Sequence, residues 1–177
     1  VQTCALPISF ARIRRDQPGS RLVLVPHEPT ESHLAHLEQL ASGRGLTLIR
    51  LGALGPDPAD LVVVDRVGLL AGLYTGATLS YVGGGFGRAG LHSVLEPAAC
   101  AVGVLVGPRW QASREAGLLL EAGGAAMVPD AAAVAAAWAE ALTPNGRRMG
   151  DRARAVIASG LGAAGRNADL IERLVAG

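Results

Sequence analysis

Residues 81–98 read YVGGGFGRAGLHSVLEPA, which sets a glycine run, a histidine, a hydroxyl and a carboxylate within one short stretch. Gly83, Gly84 and Gly85 leave an apolar run, and glycine admits positive φ and close approach of the main chain to a ligand. Ser93 stands where it can cap a following helix, so free backbone N–H groups there would face a phosphate or another anion. Glu96 lies one turn further on, where a carboxylate can accept both hydroxyls of a ribose. A turn packed tight for structural reasons, followed by an exposed helical glutamate, fits the same residues equally well. The spacing is not GxGxxG with an acid about 20 residues later, so dinucleotide binding is not the first choice.

Such residues work only if a scaffold brings them to one place. Apolar runs at residues 21–25, 46–51, 60–64, 78–82, 104–106 and 125–128 predict buried strands. Helical spacing predicts helices at 31–41, 67–74, 93–100, 111–121, 130–142, 147–158 and 168–175, with Asp130 as an N-cap. Strands alternating with helices predict a Rossmann-like α/β domain with a parallel sheet of about six strands and helices on both faces. Ligands of such sheets bind beyond the C-terminal strand ends, which selects the loops at 26–29, 65–68, 83–93, 107–114 and 129–130.

Those loops supply the other candidates. His27 and Glu28 follow the first strand; Pro29 after them excludes a helical HExxH zinc motif, and a polar loop is the commoner explanation. Asp65 and Gly68 follow the third, and Asp65 serves equally as a simple N-cap for the next helix. Pro108, Arg109, Ser113 and Arg114 follow the fifth, where a guanidinium can pair with a phosphate or a carboxylate. His33 and His36, one turn apart without a third ligand, read as a solvated face. Cys100 and Trp138 read as core residues, and Arg147, Arg148, Arg152 and Arg154 as a wet helix face.

Composition narrows the classes further. The 177 residues are half hydrophobic and 18% charged, which excludes disorder, and the net charge of +1 gives no global attraction to nucleic acid. All 16 basic residues are arginine, so no Schiff-base or P-loop lysine is present. Cys4 and Cys100 form no CxxC pattern, and no apolar run approaches the roughly 20 residues of a membrane span, so a soluble chain is expected. Residues 1–19 read as an N-terminal tail, partly non-native or an interdomain linker, with the protein expected to continue upstream; residues 20–177 read as the domain.

The stretch VGGGF, GLHSVLEPAA and VLVGP, followed by SREA and LLEAGGA, resembles the C-terminal nucleotide-binding domain of the 3-deoxy-D-manno-octulosonic acid (Kdo) transferases. VPHEP at residues 25–29, VVVDRVGLLAGLY at 62–74 and MGDRARAVI at 149–157 extend the resemblance in order from about residue 21 to the end. It implies the C-terminal half of a GT-B glycosyltransferase. Such an enzyme transfers Kdo from CMP-Kdo to a lipid A precursor (lipid IVA) in lipopolysaccharide synthesis, without a metal or other cofactor. Position by position, it implies Gly84 and Gly85 lining the donor pocket, His92 and Ser93 near the phosphate, and Glu96 on the cytidine ribose. It also implies Asp65 and Gly68 bordering that pocket, Pro108, Arg109 and Arg114 on the opposite wall, and His27 and Glu28 facing an interdomain cleft.

Three departures qualify this. Ser93 follows His92 where the family usually has asparagine, Gly103 stands where a proline is common, and Arg109 replaces a frequent histidine. The acceptor groove, the membrane anchor and the catalytic base are expected in a missing N-terminal domain. The chain alone would therefore bind donor without turnover, while the whole protein would work at the cytoplasmic face of the bacterial inner membrane. Two alternatives stay open: another GT-B transferase or epimerase using a UDP- or GDP-sugar, and a non-catalytic nucleotide-binding module.

Overall fold

The computed structural model describes residues 5–53, 59–87 and 90–176. Helix α1 (Ala5–Asp16) leads into strand β1 (Leu22–Leu24), helix α2 (Glu31–Ser42), β2 (Leu48–Arg50) and β3 (Leu61–Val63). Helix α3 (Leu70–Tyr74), β4 (Leu79–Val82), α4 (Leu95–Ala99), β5 (Gly103–Val106), α5 (Arg114–Glu121) and β6 (Ala125–Met127) follow, then α6 (Ala131–Ala141), α7 (Pro144–Gly160) and α8 (Ala163–Ala176). All strand pairs are parallel, as the unbroken apolar runs require.

The expected single sheet is instead two three-stranded sheets, ordered β1-β3-β2 and β4-β5-β6. Among the described residues no ladder joins β1 to β4, and each bonds to a neighbour on one side only.

Helices cover both faces. On one, Phe10 and Ile13 of α1 and Leu34, Leu37 and Ala41 of α2 bury against Leu24, Leu61 and Val63, with Trp138 of α6 alongside. Helix α6 continues over the second sheet, where Val134 meets Leu105 and Val128. On the other face, Val94 and Ala98, Ala116 and Leu119, and Ala153 of α7 pack on Val82, Val104 and Val106. Helix α3 contacts α4 on that side.

Local chemistry sets the helix ends. Thr30 accepts the His33 N–H at the start of α2, and Asp130 accepts those of Ala132 and Ala133 at 2.8 and 2.9 Å. Helix α4 ends in a Schellman motif, with Val102 N–H on the Pro97 carbonyl and Ala101 N–H on that of Ala98. Ala101 takes φ 58° there, a place that normally falls to glycine.

Two expectations change. The segment read as a tail contains α1, because Phe10 and Ile13 lie one turn apart on a single helical face and are 1% and 4% exposed. Cys100 is not a core residue: α4 stops at Ala99, and Cys100 is its half-buried C-cap. Helix α8 exposes Leu170, Ile171, Leu174 and Val175. Among the described residues, no helix is long and apolar enough to cross a membrane.

Candidate functional site

Strands β4 and β5 run in register to Val82 and Val106, so the loops after them leave the sheet at the same level. These loops are stitched together by main chain. Arg109 N–H donates to the Gly85 carbonyl at 2.9 Å, and His92 N–H to the Gly83 carbonyl at 3.0 Å. Gly85 and Gly107 touch backbone to backbone, since a Cβ on Gly85 would sit 2.6 Å from the Gly107 nitrogen. Gly84 has φ 96° and lies against the Gly90 carbonyl, with no room for a side chain. Both Gly84 and Gly85 are buried, so internal packing alone demands them. Arg88 and Ala89 lie outside the described residues.

This knot brings several sequence-selected residues to one rim. The exposed His92 ring stands 5.2 Å, centroid to centroid, from that of His27, so the loops after β1 and β4 meet. The guanidinium of Arg109 reaches the Gly87 carbonyl at 3.5 Å and is otherwise exposed. Arg114 opens α5 behind the cap made by Ser113, whose Oγ accepts the Ala116 N–H at 3.2 Å. The half-buried Pro108 precedes Arg109, and its carbonyl accepts from Gln111.

Glu96 sits exposed in the first turn of α4. Tyr74 of α3 is its neighbour: burial pushes that phenol upward, and the charges of Glu96 and Cys100 push it further. Ser93 is not the N-cap of α4 as expected; Val94 holds that place because the helix starts at Leu95, and Ser93 Oγ accepts the Leu95 N–H at 3.3 Å. A helix of five residues has little macrodipole, so among the described residues of the loops after β4 and β5 cationic charge comes from Arg109 and Arg114.

Other candidates are placed differently. Asp65 does not cap α3, whose N-cap is Leu69. Burial pushes the Asp65 carboxyl upward, but the hydrogen bond from Arg66 at 3.2 Å and backbone donors including Gly52 outweigh it, and the acid lies below its usual value. Gly68 takes φ 89° in the exposed loop that follows. Glu28 contributes its carbonyl, which contacts His33 Nδ1 at 2.9 Å, and leaves its carboxylate exposed. A depression lined by Arg14, Arg15 and Arg44 lies at the other end of the strands, near the starts of β2 and β3.

Sequence reasoning missed Gly107, Tyr74 and the stacking of Phe86 on Tyr81 at 6.3 Å. Gly107 had a signal: it follows β5 as Gly83 follows β4, and in-register parallel neighbours deliver such glycines to the same level.

No family model matches the sequence. A 3-deoxy-D-manno-octulosonic acid transferase of Bordetella pertussis is 31% identical over 163 residues, which is 90% of this chain and 38% of that protein. Another, from Aquifex aeolicus, is 30% identical over 100 residues, 56% of the chain and 27% of the relative. By sequence, the chain is a relative of the Kdo transferases. The C-terminal CMP-Kdo binding domain of WaaA from Acinetobacter baumannii has the same fold, with a TM-score of 0.68 at 17% identity over 86% of this chain and 98% of that one. The chain thus has the expected α/β fold, with parallel strands flanked by helices as in that domain. It spans less than two fifths of the curated relatives named here.

Proposed function

We propose that this chain is the donor-binding part of a Kdo transferase and holds CMP-Kdo at the rim formed by the loops after β1, β4 and β5. The observation that carries the reading is the Gly85–Arg109 main-chain bond, which fixes the backbone of a cationic residue beside a glycine-rich turn. In this reading Glu96 takes the ribose hydroxyls. Arg109 and Arg114 pair with the phosphate and the Kdo carboxylate, while His27 and His92 border the sugar. The buried Gly84 and Gly85 hold the loops after β4 and β5 together beneath the donor. Asp65, Gly68, Glu28, Ser93 and Pro108 shape the surrounding loops.

The proposed reaction is an inverting displacement. A hydroxyl oxygen of the lipid A precursor bonds to the anomeric carbon of Kdo as the bond from that carbon to the phosphate oxygen breaks. The electron pair leaves with CMP, and the hydroxyl proton passes to a base outside these residues. Arg109 and Arg114 would neutralise the charge developing on the leaving phosphate, the electrostatic role that metals fill elsewhere, so the site is proposed to work without one. Acceptor binding and attachment at the inner membrane are assigned to the part of the protein outside this chain.

A thermal-shift panel of CMP, UMP, UDP, GDP and NAD tests the reading, with Glu96→Ala as the comparison. A ligand at about 100 times its Kd stabilises by about 2.7 kcal/mol. Stabilisation by CMP that is lost in Glu96→Ala is the expected result. A response to UDP or GDP alone would move the donor class, and a cooperative melt indifferent to every nucleotide would overturn donor binding.

A further inference from the structure

His27 and His92 belong to loops that leave different sheets, yet their rings stand 5.2 Å apart, centroid to centroid, with planes tilted by 41°. Both side chains are exposed, and among the described residues no hydrogen bond engages either ring. Imidazole nitrogen is a preferred ligand of divalent transition ions, and two rings brought together from separate loops make a pair of donors for one ion.

The spacing selects the ion. A tetrahedral zinc held at about 2.0–2.1 Å from one nitrogen of each ring lies about 3.2 Å from each centroid, which sets the centroids about 5.2 Å apart. His27 and His92 already stand at that separation. Adjacent positions of a square-planar copper or nickel ion would bring the centroids to about 4.5 Å instead.

The main chain under each ring is fixed before any ion arrives. His92 N–H donates to the Gly83 carbonyl at 3.0 Å. Its Nδ1 lies 3.8 Å from where a Cβ on Gly83 would stand, which leaves the Nε2 edge to a ligand. Pro26 and Pro29 bracket His27 and Glu28 and fix φ on either side. The Glu28 carbonyl accepts the Thr30 N–H at 2.9 Å and contacts His33 Nδ1 at 2.9 Å, so this turn is tied to α2. Little backbone freedom is left to lose on binding.

We propose that His27 and His92 bind one zinc ion, which clasps the loop after β1 to the loop after β4. Among the described residues no third histidine, cysteine or carboxylate completes a metal-binding group, so water fills the remaining positions, as it does the open position of other zinc sites. The ion is a clasp and takes no part in the transfer chemistry. It adds a link between two sheets that, among the described residues, no ladder joins.

Calorimetric titration of zinc chloride into the 177-residue chain tests the clasp, with His27→Ala, His92→Ala, the double variant and His36→Ala as comparisons. Loss of a residue that merely orients a ligand costs about tenfold or more in metal affinity, so loss of a ligand itself is expected to cost at least that. One ion per chain is expected, with either single variant weakened by this amount and the double variant little weaker than the single ones, because either substitution already breaks the pair. His36→Ala is expected to match the parent. Zinc is also expected to raise the melting temperature of the parent chain, and calcium to leave it unchanged, because calcium takes oxygen ligands. Failure of the parent to take up zinc, or uptake that both single variants leave unchanged, would overturn the proposal. So would uptake lost in His36→Ala alone, which would put the ion on α2.

Discussion

Gly85 and Gly107 lie main chain against main chain, and the bond from Arg109 N–H to the Gly85 carbonyl at 2.9 Å locks the loop after β5 to the loop after β4. A methyl group on either glycine has to push backbone aside, not a flexible side chain. Gly85→Ala and Gly107→Ala are each expected to cost about 1–3 kcal/mol, read as a lower urea midpoint at unchanged slope. Midpoints equal to that of the parent chain would show that the contact is looser than the structure has it.

Ala101 presents the opposite case. Helices α4 and α5 both end in Schellman motifs, but α5 has Gly123 at φ 68° where α4 has Ala101 at φ 58°. The left-handed conformation costs a residue with a Cβ about 1–2 kcal/mol, part of which glycine returns through its freer unfolded chain. Ala101→Gly is expected to stabilise the protein by about 1 kcal/mol, and a lower melting temperature would contradict this reading of the cap.

Asp60 ties α1 to the starts of β2 and β3. Its carboxylate accepts from Arg14 at 2.6 Å and from the Thr47 N–H and hydroxyl at 2.9 Å each. Burial raises its pKa, but these hydrogen bonds and the Arg14 charge outweigh that and leave it below the usual 3.8. A folded value below the unfolded one means that the stability it gives is fully present above the unfolded value. It is lost as pH falls through the folded value. Acid titration of stability is therefore expected to fall more steeply below about pH 4 in the parent chain than in Asp60→Asn. Parallel curves would remove Asp60 from the account.

Phe10 tests whether α1 belongs to the domain. Its ring is 1% exposed and meets Trp138 edge-on at 6.3 Å. Phe10→Ala is expected to cost about 3–5 kcal/mol in denaturant unfolding. A loss under about 1 kcal/mol would return α1 to a peripheral segment.

Most of this architecture was legible in the sequence because parallel strands buried on both faces leave unbroken apolar runs such as LVVV and GVLV. Capping residues marked several helix starts, Asp130 among them. What failed was non-local. The break between β1 and β4 depends on hydrogen bonds that no periodicity records, and the burial of Phe10 depends on Trp138, far along the chain. In the site, residue types marked Glu96, Arg109 and the glycines. The packing of Gly85 on Gly107 and the Tyr74 neighbour of Glu96 appear only when separate loops and helices are brought together.

The central claim is donor binding at the rim of Glu96 and Arg109, and calorimetric titration of CMP reads it most directly. The titration uses the chain and its variants Glu96→Ala and Arg109→Ala. One CMP per protein is predicted, with affinity at least about tenfold weaker in either variant, or about 1.4 kcal/mol. Folded protein that takes up no CMP, or binding that both variants leave unchanged, would contradict the account.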